Sequence, residues 1–241
     1  MEKKKRNLID EIQSIKKRTA YRSVDDFYIR LSGIRNVLIE LKKADNKLKN
    51  ELLRYIPIST IACFEGYFRY AVKEIIDFGE QYHENIKKLG QTVNVKLDFE
   101  ILASINTKTF TIGEFIAHVI PCNNLDGVNS ILSNLLDISF IDEIKKFKGK
   151  KSMFSFSSDQ ALKFQNKSDE IINSIERMFD LRHILCHEFA STLIIDEDII
   201  TNDFENFSLF INHSYDFIWE KLSILLLGRP PMKCFLTPQK I

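Results

Sequence analysis

The chain has 241 residues, of which 44% are hydrophobic and 28% are charged, and these proportions are typical of a water-soluble globular protein. It contains only 8 glycines and 5 prolines, so long helices are favoured over a turn-rich β fold. A net charge of +1 excludes a chain-wide basic field for nucleic acid, and any contact with RNA must therefore be local.

In chain order, residues 1–22 predict a basic amphipathic N-terminal helix that packs on a partner element. Apolar residues in helical register predict one long helix over 24–54. Pro57 is expected to begin the next helix, over 56–78, because proline suits the first helical turn. Within 90–110 the stretch TVNVKLDF alternates like a strand, and its structure is left open.

Residues 79–155 are interpreted as an insert of short helices and loops. Helices are expected at about 111–120, 125–137 and 139–147, with Thr111 and Asp126 as N-caps. Two long helices follow, over 159–189 and 202–227, and 228–241 form a C-terminal tail. Together these elements predict an all-α bundle that forms a single domain over 1–241.

Cys63, Cys122, Cys186 and Cys234 show no metal-binding spacing, and nothing resembles a signal peptide, so reduced thiols in a cytoplasmic protein are expected. The acidic residues also lack metal-ligand spacing, so neither a metal nor another cofactor is expected. No apolar run approaches the roughly 20 residues that would span a membrane.

The stretch MFDLRHILCHEFA places a permanent cation and two imidazoles on one helix. His183 and His187 are about 40° apart around the helix axis, while Arg182 and His187 are about 140° apart. Guanidinium suits phosphate and imidazole titrates near neutral pH, so the set could cleave RNA without a metal. Arg182 falls within the apolar stripe of this helix, where Cys186 is also expected to be packed. The stripe consists of Ile175, Met178, Phe179, Leu181, Leu185 and Phe189.

A second charged residue, Glu65, lies within the apolar face predicted for 56–78. That face consists of Ile58, Ile61, Ala62, Phe68, Val72, Ile75 and Ile76. A charged side chain in an apolar stripe is rarely unpaired, so Glu65 is expected to pair with Arg182. Part of the Arg182 guanidinium would then remain free for a phosphate. The alternative is a purely structural arginine, which either extends its charged end to solvent or makes a buried ion pair, with the histidines at the surface.

A basic loop over 144–158 has two interpretations, a solvated connector or a track for RNA. In the second, lysines alternate with aromatic stacking groups. The residues concerned are Lys145, Lys146, Lys148, Lys150 and Lys151, with Phe147, Phe154 and Phe156.

The segments FEGYFRYAVKEII and FDLRHILCHEF together resemble a HEPN domain (higher eukaryotes and prokaryotes nucleotide-binding), over most of 55–227. The family motif is Arg, a polar residue, about three further residues and His, which here are Arg182, His183 and His187. The polar position is more often Asn or Asp in the family. The pair Phe64-Glu65 also matches many members. The segment from Thr109 to Phe147 resembles the insert of a bacterial subfamily found among defence and toxin-like genes.

This resemblance implies a homodimer whose two motif helices form one composite cleft. It also implies a metal-independent endoribonuclease that uses the 2′-hydroxyl of its RNA substrate, acts as a toxin or anti-phage effector, and pairs with an antitoxin or defence partner. His187 would be the general acid or base, Arg182 would bind the scissile phosphate, and His183 would support His187. The alternative is a non-catalytic HEPN-like module that binds a protein, nucleotide or RNA.

Overall fold

The computed structural model describes residues 7–18, 23–78, 80–90, 99–107, 109–149, 156–188 and 192–223. Within these ranges all regular secondary structure is helical, which confirms the predicted all-α class. Two short 3₁₀ helices cover Leu41–Lys43 and Glu80–Asn85. The α-helices are α1 (Leu8–Arg18), α2 (Ser23–Glu40), α3 (Asn46–Phe78), α4 (Ile86–Leu89), α5 (Phe99–Asn106), α6 (Ile112–Val119), α7 (Leu125–Leu136), α8 (Phe140–Lys146), α9 (Phe156–Asn166), α10 (Ser168–His187) and α11 (Glu197–Ser223).

Helix α3 is the centre of the bundle, because α2, α6, α10 and α11 all pack against it. Its core side chains are large aromatics. Phe64 and Phe68 are fully buried with ring centres 4.6 Å apart, and Phe64 makes an edge contact with Phe179 of α10 at 5.0 Å. Phe210 of α11 lies 6.3 Å from Phe64 and 6.0 Å from Phe68. Each buried phenylalanine contributes about 1.5–3 kcal/mol, so these rings fix α10 and α11 onto α3.

The short helices between α3 and α9 are divided between two hydrophobic clusters. Helices α7 and α8 contribute to the main core together with the long helices. Helices α5 and α6 instead form a smaller cluster with α1, built from Ile12, Ile101, Phe110 and Phe115. The predicted insert therefore shares the core of the bundle at one end and carries the N-terminal helix at the other.

Polar contacts fix α6 on α3. Arg69 donates to the carbonyl oxygens of Ala117 and His118 at 3.1 and 3.0 Å, at the C-terminal end of α6. At the other end, Asp77 accepts from the Gly113 amide and from the Thr111 hydroxyl. Thr111 also closes a capping box with Glu114, which confirms Thr111 as the predicted N-cap.

The predicted helices 24–54 and 56–78 are wrong in their boundaries. The break lies at Leu41–Asp45, where a 3₁₀ turn and an extended residue, Ala44, separate α2 from α3. Pro57 lies inside α3 instead of beginning a helix. Proline in a helix interior costs about 3 kcal/mol, and α3 persists because it is buried on most of its circumference here, with Leu53, Ile56 and Ile61 nearly inaccessible.

Other boundaries also differ from the prediction. The expected helix 159–189 is two helices, since Lys167 has a non-helical backbone and separates α9 from α10. Asn124, whose side chain accepts from the Gly127 amide, caps α7, and Asp126 lies inside the first turn. Helix α11 begins at Glu197, ahead of the predicted residue 202. Residue 99 begins α5, while 91–98, most of the possible strand, lie outside the described residues, as do 1–6 and 224–241.

Candidate functional site

The C-terminal turns of α10 carry the predicted motif at the edge of the bundle. Ile171, Ile175 and Met178 bury the first part of α10 in the core, with no accessible surface. Toward the C-terminus burial decreases, and His183 and His187 are exposed. The helix ends at His187, so both imidazoles stand on its last two turns. The same helix is therefore fixed at one end and presents polar side chains to solvent at the other.

The predicted pairing of Glu65 with Arg182 is confirmed. A guanidinium nitrogen of Arg182 (Nη2) lies 3.9 Å from Oε1 of Glu65, and the two side chains are 36% and 27% exposed. This separation holds the opposite charges together but is longer than a hydrogen bond. The pair is not sealed in the core, so it is not a buried ion pair, while the histidines lie at the surface as the structural alternative expects. Arg182 keeps N–H groups and surface for an anionic ligand.

His183 and His187 form a pair of their own. They are one helical turn apart, and their ring centres are 4.9 Å apart with the ring planes at 48°. The other histidines contact protein groups. His83 and His213 hydrogen-bond to the carbonyl oxygens of Ile76 and Ile144, and His118 bonds to Glu11. Burial lowers the pKa of His213, which suits a neutral structural side chain.

The expected packing of Cys186 is wrong, because this residue is exposed. Its position continues the apolar stripe of α10, but the core ends before the last turn of the helix. Cys63 and Cys122 are buried, and burial raises the pKa of each thiol to about 11. Cys234 lies outside the described residues. Cys186 is therefore the exposed thiol among the described cysteines, and it lies between the two histidines in sequence.

The surface of α3 beside Arg182 is also more open than predicted. Ala62 and Gly66 are exposed, although Ala62 was expected on the buried face. The buried face is turned toward Ile61, Phe64 and Phe68, which are at most 1% exposed. No heavy atom would lie within 4 Å of a Cβ at Gly66. Glu65 therefore lies between two exposed residues of α3.

Of the described lysines in the basic loop, Lys145 lies at the opposite end of α10. Lys145 pairs with Asp169 at 2.8 Å and Lys146 pairs with Glu143 at 3.1 Å, while Lys148 is exposed. Asp169 precedes Arg182 by 13 positions in α10, about 20 Å along its axis. Glu176 and Asp180 are exposed on α10 between these ends and would repel phosphate.

The loop aromatics do not extend the track over the described residues. Phe147 packs against His213 and Phe217, with ring centres 5.3 and 5.4 Å away, and is not free to stack on a base. Lys150, Lys151 and Phe154 lie outside the described residues, as does the side chain of Phe156. For the described lysines, the structure therefore shows no connection to the motif.

Sequence reasoning missed a stronger ion pair on the same helix. Arg177 of α10 donates through Nε and Nη2 to both carboxylate oxygens of Asp203 of α11, and Nη2 also contacts the Ser174 hydroxyl at 3.0 Å. Asp203 is completely buried, whereas the Arg177 side chain is 47% exposed. The sequence pattern does indicate a buried charge here, because Asp203 falls in the apolar stripe of α11 between Ile200 and Phe207. This pair fixes α10 on α11 one and a half turns before Arg182.

Among the described residues, no group of three or more His, Cys, Asp or Glu side chains is arranged to hold a metal ion. Within the same ranges, no helix combines the length and apolar character needed to cross a bilayer.

The chain matches no protein-family model, no curated protein and no solved structure.

Proposed function

We propose that the protein is a metal-independent endoribonuclease of HEPN type, with Arg182 and His187 as its catalytic residues. The observation that carries this proposal is a half-exposed arginine, held by Glu65 and followed by an exposed pair of imidazoles on the same helix end. Phosphate binding and proton transfer are the two functions that RNA cleavage by its own 2′-hydroxyl requires. The resemblance described from the residues gives these positions the same roles.

In the proposed reaction, the 2′-oxygen of a ribose attacks the adjacent phosphorus, and the bond from phosphorus to the 5′-oxygen of the next nucleotide breaks. The products are a 2′,3′-cyclic phosphate and a 5′-hydroxyl. His187 exchanges a proton with the attacking or leaving oxygen, a role typically worth ~10²–10⁴ in rate. Arg182 stabilises the charge that develops on the phosphate oxygens, through the N–H groups that Glu65 leaves free.

His183 supports this chemistry from one turn away. A ring centre 4.9 Å from that of His187 brings it close enough to orient the neighbouring ring or to supply the complementary proton. Both rings are exposed in one chain, so a single copy encloses no cleft around them. A homodimer in which two such helix ends face each other across a two-fold axis would complete the cleft and exclude water. The exposed surface at Ala62 and Gly66 leaves room for such an approach.

The test is cleavage of total RNA by the full-length protein in the presence of EDTA. Wild type is expected to cleave, and Arg182→Ala and His187→Ala are each expected to abolish cleavage while leaving the fold and oligomeric state unchanged. Asn173→Ala, on the exposed face of the same helix, is the matched control and should cleave like wild type. Cleavage that persists in both motif variants, or that stops on chelation, would refute the assignment.

The biological role proposed for this activity is that of a toxin or anti-phage effector restrained by an antitoxin or a defence partner. Expression of the wild type should then arrest growth, and Arg182→Ala should relieve the arrest.

Sedimentation of the wild type should give a dimer. A monomer at micromolar concentration, both alone and with RNA, would contradict the composite cleft.

A non-catalytic binding module is the second candidate, favoured by the openness of the motif surface in one chain. Arg182 and the imidazoles would then bind an anionic group of a protein, nucleotide or RNA without reaction. An RNA that binds the wild type, loses affinity on Arg182→Ala and remains intact after prolonged incubation would support this function over the nuclease.

A further inference from the structure

We propose that His183 and His187 form a binding site for a late first-row divalent metal ion, principally Zn²⁺. The two residues are separated by four positions on α10, which places both imidazoles on one side of the helix. Two histidines at this spacing on a helix are a known arrangement for holding zinc. Water molecules would complete the coordination, because no third His, Cys, Asp or Glu among the described residues joins them as a ligand set.

The geometry of the two rings fits a shared ion. A zinc–nitrogen bond of about 2.05 Å places the metal roughly 3.2 Å from each ring centre. A nitrogen–metal–nitrogen angle of about 90–110° then places the two ring centres about 4.5–5.2 Å apart. The observed separation of 4.9 Å falls within this range.

The surroundings favour a cation. His187 ends α10, and the carbonyl groups of a C-terminal helical turn carry about half a negative charge. Asp180 precedes His183 by three positions on the same exposed face, and Glu188 follows His187 directly. The Arg182 guanidinium is turned toward Glu65 on α3, which partly offsets its charge. The metal would therefore bind among negative groups at a solvent-accessible helix end.

Calorimetric titration of zinc chloride into the full-length protein at neutral pH tests the site. We expect one zinc ion bound per chain in the wild type, and no binding of magnesium, which prefers oxygen ligands. His183→Ala and His187→Ala should each weaken zinc binding at least about tenfold, while Asn173→Ala leaves it unchanged. Binding should also weaken on acidification, because protons compete with the metal for imidazole.

Absence of zinc binding in the wild type, or a zinc affinity in both histidine variants equal to that of the wild type, would overturn the proposal. His183→Gln and His187→Gln provide a second pair in which side-chain size is better preserved, and circular dichroism verifies that each variant is folded. Both imidazoles are exposed, so neither substitution removes a core contact.

A functional consequence rests on the proposed ribonuclease activity. Zinc would occupy the ring that must transfer the proton, so zinc should inhibit cleavage and EDTA should restore it. The two proposals fail separately. Zinc binding without any RNA cleavage would leave the metal site standing and remove the nuclease. Cleavage unaffected by zinc, with no heat of binding, would retain the nuclease and remove the metal site.

Discussion

Arg177→Ala is expected to destabilise the protein more than Asp203→Asn, although each removes the same ion pair. Asp203 is completely buried, and without Arg177 its carboxylate would remain in the core unpaired. Leaving a buried charge without its partner costs about 3–5 kcal/mol. The side chain of Arg177 is 47% exposed, and without Asp203 it can turn to water. Asp203→Asn then removes mainly charge-assisted hydrogen bonds, a loss of about 1.5–3 kcal/mol.

Urea unfolding of the wild type, both single variants and the double variant measures these costs and their coupling. The double variant should lose less stability than the two single losses together, because the second change removes the stranded charge left by the first.

Equal losses in the two single variants would contradict this reasoning, because it depends on the unequal burial of the partners. An additive double variant would show that the groups do not interact energetically.

Phe64→Ala should cost about 3–5 kcal/mol in urea unfolding, because its fully buried ring contacts aromatics of three helices. Gly113→Ala should lower the melting temperature, since a Cβ there would lie 2.5 Å from the Asp77 carboxylate. In Gly66→Ala the new Cβ would meet no atom within 4 Å, and the variant should stabilise α3 by about 0.5–1 kcal/mol. Burial raises the pKa of Asp216 to about 6, so its stabilising contribution is full below its unfolded pKa near 3.8 and is lost as pH rises through 6. Asp216→Asn should remove that loss and be more stable than wild type at pH 7, and a pH series of urea midpoints checks it.

Local chemistry in the sequence predicted local structure well. Thr111 is followed three positions later by Glu114, and the capping box forms as that spacing implies. The pairing of Glu65 with Arg182 was also predictable, because both charges interrupt apolar stripes on separate helices and need a partner. The same reasoning applied to the stripe of α11 would have identified Asp203 and its partner.

Tertiary packing decided what the sequence could not. Pro57 normally indicates a helix start, yet α3 continues through it because neighbouring helices cover that turn. Cys186 is in register with the apolar stripe of α10, but burial depends on whether another helix is present opposite it, and none of the described helices buries it. Periodicity gives the direction in which a side chain points and not what it meets there.

The contact between α3 and α10 has a consequence for the order in which the protein is made. Glu65 is synthesised early, as part of α3. Arg182 and both imidazoles belong to α10, the tenth of the described α-helices. When α3 has been synthesised and α10 has not, the nascent chain contains Glu65 but lacks Arg182 and the two imidazoles. The motif is assembled only when the last helices emerge and dock on α3. If the protein is the proposed toxin, fragments that end before residue 187 are expected not to arrest growth.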